Sequence, residues 1–104
     1  MVYVLSTKEF DTWERILSRE YGTEIQRIID ELKQTWNTGK PLGYPFFREK
    51  KFEKYRIYFL VYEEHNAVLL ITISDKKAQQ DTIERIKDQL DQYRELIKKN
   101  LPLP

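Results

Sequence analysis

Eight cations crowd into two short stretches of this 104-residue chain. Residues 38–58 carry Lys40, Arg48, Lys50, Lys51, Lys54 and Arg56 against only Glu49 and Glu53, and Lys76-Lys77 follow as an adjacent pair. A guanidinium presents a planar fork that grips two oxygens at once, and ammonium groups add compact point charges. The chemistry open to such a set is to bind an anion and to stabilise negative charge growing on it. A plainer account stands beside it. Arg56 could pair with Glu49 or Glu53 across strands, and Lys50-Lys51 could be solvated turn residues or charges that keep an edge strand from aggregating. Tyr44, Tyr58 and Tyr62 are the aromatic hydroxyls near these cations in sequence, each able to donate a proton. With no Cys there is no thiol nucleophile, disulfide or thiolate zinc site, and one His excludes a poly-His metal site. Neither a metal nor a cofactor is expected. His65, within Glu-Glu-His-Asn, reads as an exposed turn residue.

These side chains must be carried by a small fold. Hydrophobic residues make up 40% of the chain and charged residues 34%, enough apolar material for one core and too much for a disordered chain. One domain over residues 1–104 is expected, with 101–104 a loose tail. The net charge of +1 offers no global field for nucleic acid or membrane. No apolar run approaches the length of a membrane span and no leader is evident, so a cytoplasmic protein without membrane association is expected.

Val2 to Leu5 reads as a strand. Ser6-Thr7-Lys8-Glu9 forms a capping box, and Phe10, Trp13, Leu17 and Tyr21 recur at helical spacing to Gly22. A second capping box at Thr23 opens a helix whose apolar face is Ile25, Ile28, Ile29, Leu32 and Trp36. An antiparallel helix hairpin is therefore expected, with Phe10, Trp13 and Trp36 in the core. Gly39, Pro41, Gly43 and Pro45 break the chain into a loop. Phe46 and Phe47 are adjacent, so on a strand one of them faces outward. Tyr55, Ile57, Phe59 and Val61 alternate with Arg56, Tyr58, Leu60 and Tyr62 along a strong strand, and Ala67 to Ser74 reads as a central strand buried on both faces. Asn66 suits the positive φ of a tight turn, and Asp75 suits an N-cap. A long helix over residues 78–99 carries Ile83, Ile86, Leu90, Tyr93 and Ile97 on one stripe. The order β-α-α-β-β-β-α predicts an α+β fold: a small antiparallel-rich sheet packed by the helix hairpin and the long C-terminal helix.

That order, with the stretch FFREKKFEKYRIYFLVYEEHNAVLLITISDKK, resembles the RelE/ParE superfamily of bacterial and archaeal toxin components. Tyr55-Arg56 opens the apolar strand as the family's Tyr-Arg pair does, and Asp75-Lys76-Lys77 corresponds to its terminal polar-basic cluster. Archaeal members carry similar PLGYPF, REKK and ISDKK segments. The resemblance implies a RelE-like fold, a cognate antitoxin as partner and, in the RelE branch, cleavage of messenger RNA on the ribosome without a metal. There the ribose 2′-oxygen attacks the neighbouring phosphate, a base takes its proton, and an acid protonates the departing 5′-oxygen. Carried over residue by residue, Arg56 is the phosphate clamp, Lys77 (or Lys76, one position away) is the basic residue after the last strand, and Lys51 belongs with them as a catalytic cation. Arg48, Lys50, Lys54, Lys76 and Tyr58 fall to RNA binding. The chain departs from the pattern in the first turn of its last helix, which lacks the Tyr of some ribonuclease members, and in the acid Asp75 within the terminal cluster. A toxin-fold protein without nuclease activity that binds a protein partner, antitoxin or gyrase-type target, is the alternative. The final helix is also a candidate surface for a homodimer.

Overall fold

The computed structural model describes residues 1–101. The two most apolar segments form its centre. β4 (Tyr55–Tyr62) pairs antiparallel with β5 (Ala67–Asp75), joined by a 3₁₀ turn over Glu63–His65. Asn66 closes that turn at φ +50, as expected of it. β5 is buried along its length except at Asp75. β3 (Phe47–Phe52) adds antiparallel to β4, and a two-residue strand β2 (Lys40–Pro41), expected as plain loop, edges β3. β1 (Tyr3–Ser6) joins β5 in parallel, so the order is β1-β5-β4-β3-β2 in one mixed sheet.

Helices cover both faces. On one face α1 (Lys8–Gln34) packs Phe10, Leu17, Ile25, Ile28 and Leu32 against Phe52, Ile57, Phe59, Val61, Val68 and Ile73. On the other, α2 (Gln79–Asp88) and α3 (Leu90–Asn100) set Ile86 and Ile97 against Phe47, Tyr58, Leu60, Tyr62, Leu69 and Ile71. The expected α+β fold is present. A register shift in the β4–β5 ladder, where Tyr58 pairs Thr72 but Phe59 pairs Leu70, leaves Ile71 as an extra residue. This bulge reverses the alternation of β5, so Ile71 faces α2 and α3 while Ile73 faces α1.

The helix hairpin takes an unexpected form. Helical hydrogen bonding continues through Gly22, which has no left-handed φ and therefore is not the cap it resembles. Yet the ends of α1 lie close together. The Val2 N–H donates to the Lys33 carbonyl at 2.9 Å, while Thr7, the N-cap, donates to the Leu70 carbonyl at 3.0 Å. The five-residue step from Val2 to Thr7 reaches about 17 Å at most, whereas a straight helix from Thr7 to Lys33 would run about 39 Å. The helix must double back near its middle, where Gly22 sits, and both arms bury their stripes in the same core.

Three further expectations are corrected. The long C-terminal helix is two helices meeting at Gln89, whose φ −117 and ψ 17 end one and start the other. Neither Gly nor Pro marks the break, and the apolar stripe stays on the sheet across it. Trp13 is 37% exposed at the margin of the α1 stripe, while Phe10 is buried and Trp36 partly so. Leu101 packs partly buried against the α2–α3 core rather than hanging loose; the rest of the expected tail lies outside the described residues. Of the adjacent pair, Phe47 is buried and Phe46 is the one left open.

Candidate anion-binding site

The β3–β4–β5 register builds a row of polar side chains at one end of the sheet. Lys51 pairs with Arg56, and Arg56 pairs with Ser74; one row inward, Glu49 pairs with Tyr58 and Tyr58 with Thr72. Cross-strand partners share a face, so this set lies on the α2 side. The bulge is what brings Ser74 onto it. The Ser74 Oγ donates to the Asp75 carbonyl at 3.0 Å. Its single proton being used, it accepts from the Tyr58 hydroxyl at 2.7 Å. Burial pushes the Tyr58 phenol above its ordinary pKa, against the opposing effect of the Ser74 hydrogen bond. It is a neutral donor, fully enclosed.

Arg56 is the centre of the row. It is only 8% exposed, and Glu49 beside it only 6%. The Arg56 Nε lies 3.3 Å from one Glu49 carboxylate oxygen. The other oxygen accepts from Gln79 Nε2, in the first turn of α2, at 2.9 Å. Of the two acids that could have paired with Arg56, Glu49 is the one that does. The pairing does not use up the guanidinium: Arg56 Nη1 is buried with no hydrogen-bond partner among the described residues. A buried donor left without an acceptor carries a full desolvation cost, so each such group calls for an explanation. An anion is the simplest partner for one on a guanidinium.

Lys51, Lys76 and Lys77 are exposed at this end and make no ion pair among the described residues. Asp75, between Ser74 and the lysines, accepts from the Ala78 N–H at 3.0 Å. It caps the turn into α2 as an N-cap residue would, one turn ahead of the helix itself. Lys54 sits in the exposed β3–β4 turn, its ammonium 5.5 Å from the Tyr55 ring centroid.

The remaining cations go elsewhere. Arg48 and Lys50 alternate with Glu49 and Lys51, which puts them on the α1 face. Lys50 donates to Glu31 and to the Thr38 hydroxyl, and its hydrogen bond holds the Glu31 carboxyl below its ordinary pKa. Arg48 donates to the carbonyls of Pro45 (2.8 Å) and Thr38 (3.2 Å) and to Asn37 Oδ1 (3.4 Å). Both pin the loop between α1 and β3. The register thus puts Lys51 beside Arg56, with Lys76 and Lys77 following β5 at the same end of the sheet and Lys54 at the neighbouring turn, and separates Arg48 and Lys50. Tyr58 is close to Arg56, but its ring is fully buried and offers no face to a base.

In the sequence Glu49 is only a neutralising partner for Arg56, and nothing there points to Gln79 or Ser74. Strand alternation, which puts Glu49 on the face of Lys51, was the available signal for Glu49. The roles of Gln79 and Ser74 depend on helix placement and on the bulge. A cleft of about 480 Å³ lies at the opposite end of β4, among Trp36, Phe46, Tyr62 and Arg94, and includes none of Arg56, Lys51, Lys76 and Lys77. No helix among the described residues is long and apolar enough to cross a membrane.

Solved structures share this architecture. The isolated toxin RelE of E. coli superposes with a TM-score of 0.65 at 16% identity, over 83% of this chain and 99% of that one. RelE in the intact E. coli RelBE toxin–antitoxin complex gives 0.64 at 16% identity, over 72% and 96%. A metal-bound toxin from Helicobacter pylori gives 0.51 at 13% identity, over 74% and 97%. These likenesses establish the fold. No protein-family model matches the chain, and no curated protein matches it either.

Proposed function

We propose that this chain is a RelE-like toxin component of a toxin–antitoxin pair, held by a small antitoxin and acting on messenger RNA at the ribosome. The observation that carries the reading is the buried, half-paired Arg56 with its free Nη1, flanked by Lys51, Lys76 and Lys77. It sits on a fold shared with RelE, whose E. coli form is solved with its antitoxin. Arg56 would clamp the phosphate next to the reacting ribose. Charge growing on the phosphoryl oxygens would be met by Arg56 and the lysines, the kind of stabilisation whose loss typically costs about 10²–10³ in rate. Of Lys51 and Lys77, one would take the proton from the 2′-hydroxyl and the other would give one to the departing 5′-oxygen. The buried Tyr58 hydroxyl, committed to Ser74, takes no part.

The partial neutralisation of Arg56 by Glu49 favours one second reading, a toxin-fold protein that binds a protein partner without cutting RNA. Induced expression separates the two. Growth arrest with cuts in translated message is expected from the native chain. Both should disappear in Lys51→Ala/Lys77→Ala, whose exposed side chains can be removed without disturbing the core. Arrest that persists unchanged in that variant refutes the site. Soluble, folded protein that causes neither arrest nor cuts leaves the binding reading.

A further inference from the structure

We propose that the loop carrying Tyr44 and Phe46 is a stacking platform for bases of single-stranded RNA, at the far end of β3 and β4 from the Arg56 cluster and connected to it along α2. The inference rests on the RNA reading of that cluster and adds a second contact to it. The two rings are 41% and 37% exposed, yet they stack on each other with centroids 4.9 Å apart and planes 24° apart. Solvent-facing stacked aromatics on a mobile loop would mean little, but this loop is held firmly. Gly39 and Gly43 take positive φ of +86 and +93. The Leu42 N–H donates to the Phe47 carbonyl at 2.8 Å, and Arg48 grips the Pro45 and Thr38 carbonyls. The rings are therefore presented in advance of binding, which reduces the ordering cost that binding incurs.

Charge complementarity selects the occupant. The Lys87 ammonium lies 5.7 Å from the Tyr44 centroid and against Gly43, where a Cβ would come within 2.8 Å of Nζ. A cation beside an aromatic ring suits a nucleotide, with the base on the ring and the phosphate on the cation. The platform also connects to the anion site. α2 begins with Gln79 on Glu49 and reaches Lys87 at Tyr44, about 12 Å along the helix, a gap a short single strand bridges. Lys40, exposed and paired in register with Glu49, lies between the two ends. Beyond Phe46 the cleft holds Glu63, Glu64 and Asp91 against Arg48 and Arg94, of which Arg94 is paired with Glu64 and Arg48 is committed to the Pro45 and Thr38 carbonyls. Those acids oppose phosphate on that side and direct the strand along Lys87.

The test is an anisotropy titration at low salt with a labelled single-stranded heptaribonucleotide and a copy carrying one abasic position. Tyr44→Ala/Phe46→Ala should bind the intact strand about tenfold or more weakly, and should lose less on the copy whose abasic position meets the platform. Tyr44→Leu, which keeps apolar bulk, should lose part of that, and thermal melts should show all variants folded. Affinity within twofold of the native chain in Tyr44→Ala/Phe46→Ala overturns the platform and assigns the aromatic pair to a protein partner. Absence of RNA binding by the native chain overturns platform and cluster together. Loss in the aromatic variant with no loss in Lys51→Ala/Lys77→Ala upholds the platform and refutes the cluster.

Discussion

The pairing of Arg56 with Glu49 is the feature on which most of the site turns, because two charges have been taken out of water to make it. Such burial is costly, and the mutual attraction offsets it only when both partners are present. Removing one should be worse than removing both. Glu49→Ala is expected to destabilise the fold by about 3–5 kcal/mol, since it leaves the guanidinium buried and uncompensated. Arg56→Met/Glu49→Gln should lie closer to the native chain than Glu49→Ala does. Urea denaturation of the three proteins checks this, and a double variant no more stable than Glu49→Ala would show that the pair is not coupled. If the cluster acts on RNA, the double variant is then inactive though stable, which separates Arg56's chemical role from its structural one. Much of this was legible: the Tyr-Arg pair pointed to Arg56, and strand alternation makes Glu49 its neighbour. Which of the flanking cations share its face is legible too, since a strand sends alternate side chains to opposite sides and so separates Arg48 and Lys50 from Lys51; illegible were Ser74 and Gln79, which the bulge and the placement of α2 bring to the row.

At the level of elements, apolar periodicity located nearly every strand and helix, and the errors fall where one element bends. Gly22 looked like a stop because Gly commonly ends helices in the left-handed region. Here it keeps helical φ while the helix folds back, since Leu17 and Ile25 on either side both reach the α1 core. The break at Gln89 and the bulge at Ile71 have no sequence signal at all: both accommodate packing on a twisted sheet. The glycines give a contrast that tests this account. A Cβ at Gly22 would meet only the Ser18 Cβ, at an ordinary 3.6 Å. Gly22→Ala should therefore be neutral or stabilising by up to about 1 kcal/mol, as for a Gly replaced inside a helix. At Gly39 the φ of +86 strains any side chain, and a Cβ would come 2.8 Å from the Glu49 carbonyl oxygen, which is backbone and cannot swing away. Gly39→Ala should cost at least about 1–2 kcal/mol. Urea midpoints moving in opposite directions are the expected result; a large loss at Gly22 would mean that the bend itself requires glycine.

Considered whole, the molecule concentrates its polarity. A sheet enclosed by helices on both faces leaves functional groups only at its ends and edges, and the ends of β3, β4 and β5 bring Arg56, Lys51, Lys76 and Lys77 together. The net charge is +1, so long-range steering toward a polyanion is weak and the charge-dependent part of any RNA affinity must come from local contacts, this set foremost. That has a measurable consequence. Each phosphate neutralised on a single strand contributes roughly −0.7 to the slope of log affinity against log salt, so three or four cations in contact give a slope of about −2 to −3. Lys51→Ala/Lys77→Ala should flatten it by about 1.4, the share of two phosphates. Tyr44→Ala/Phe46→Ala should weaken binding and leave the slope almost unchanged, because stacking releases no counterions. A native slope near zero would mean that the cations do not meet phosphate, and that the free Nη1 of Arg56 answers to a carboxylate on a protein partner instead.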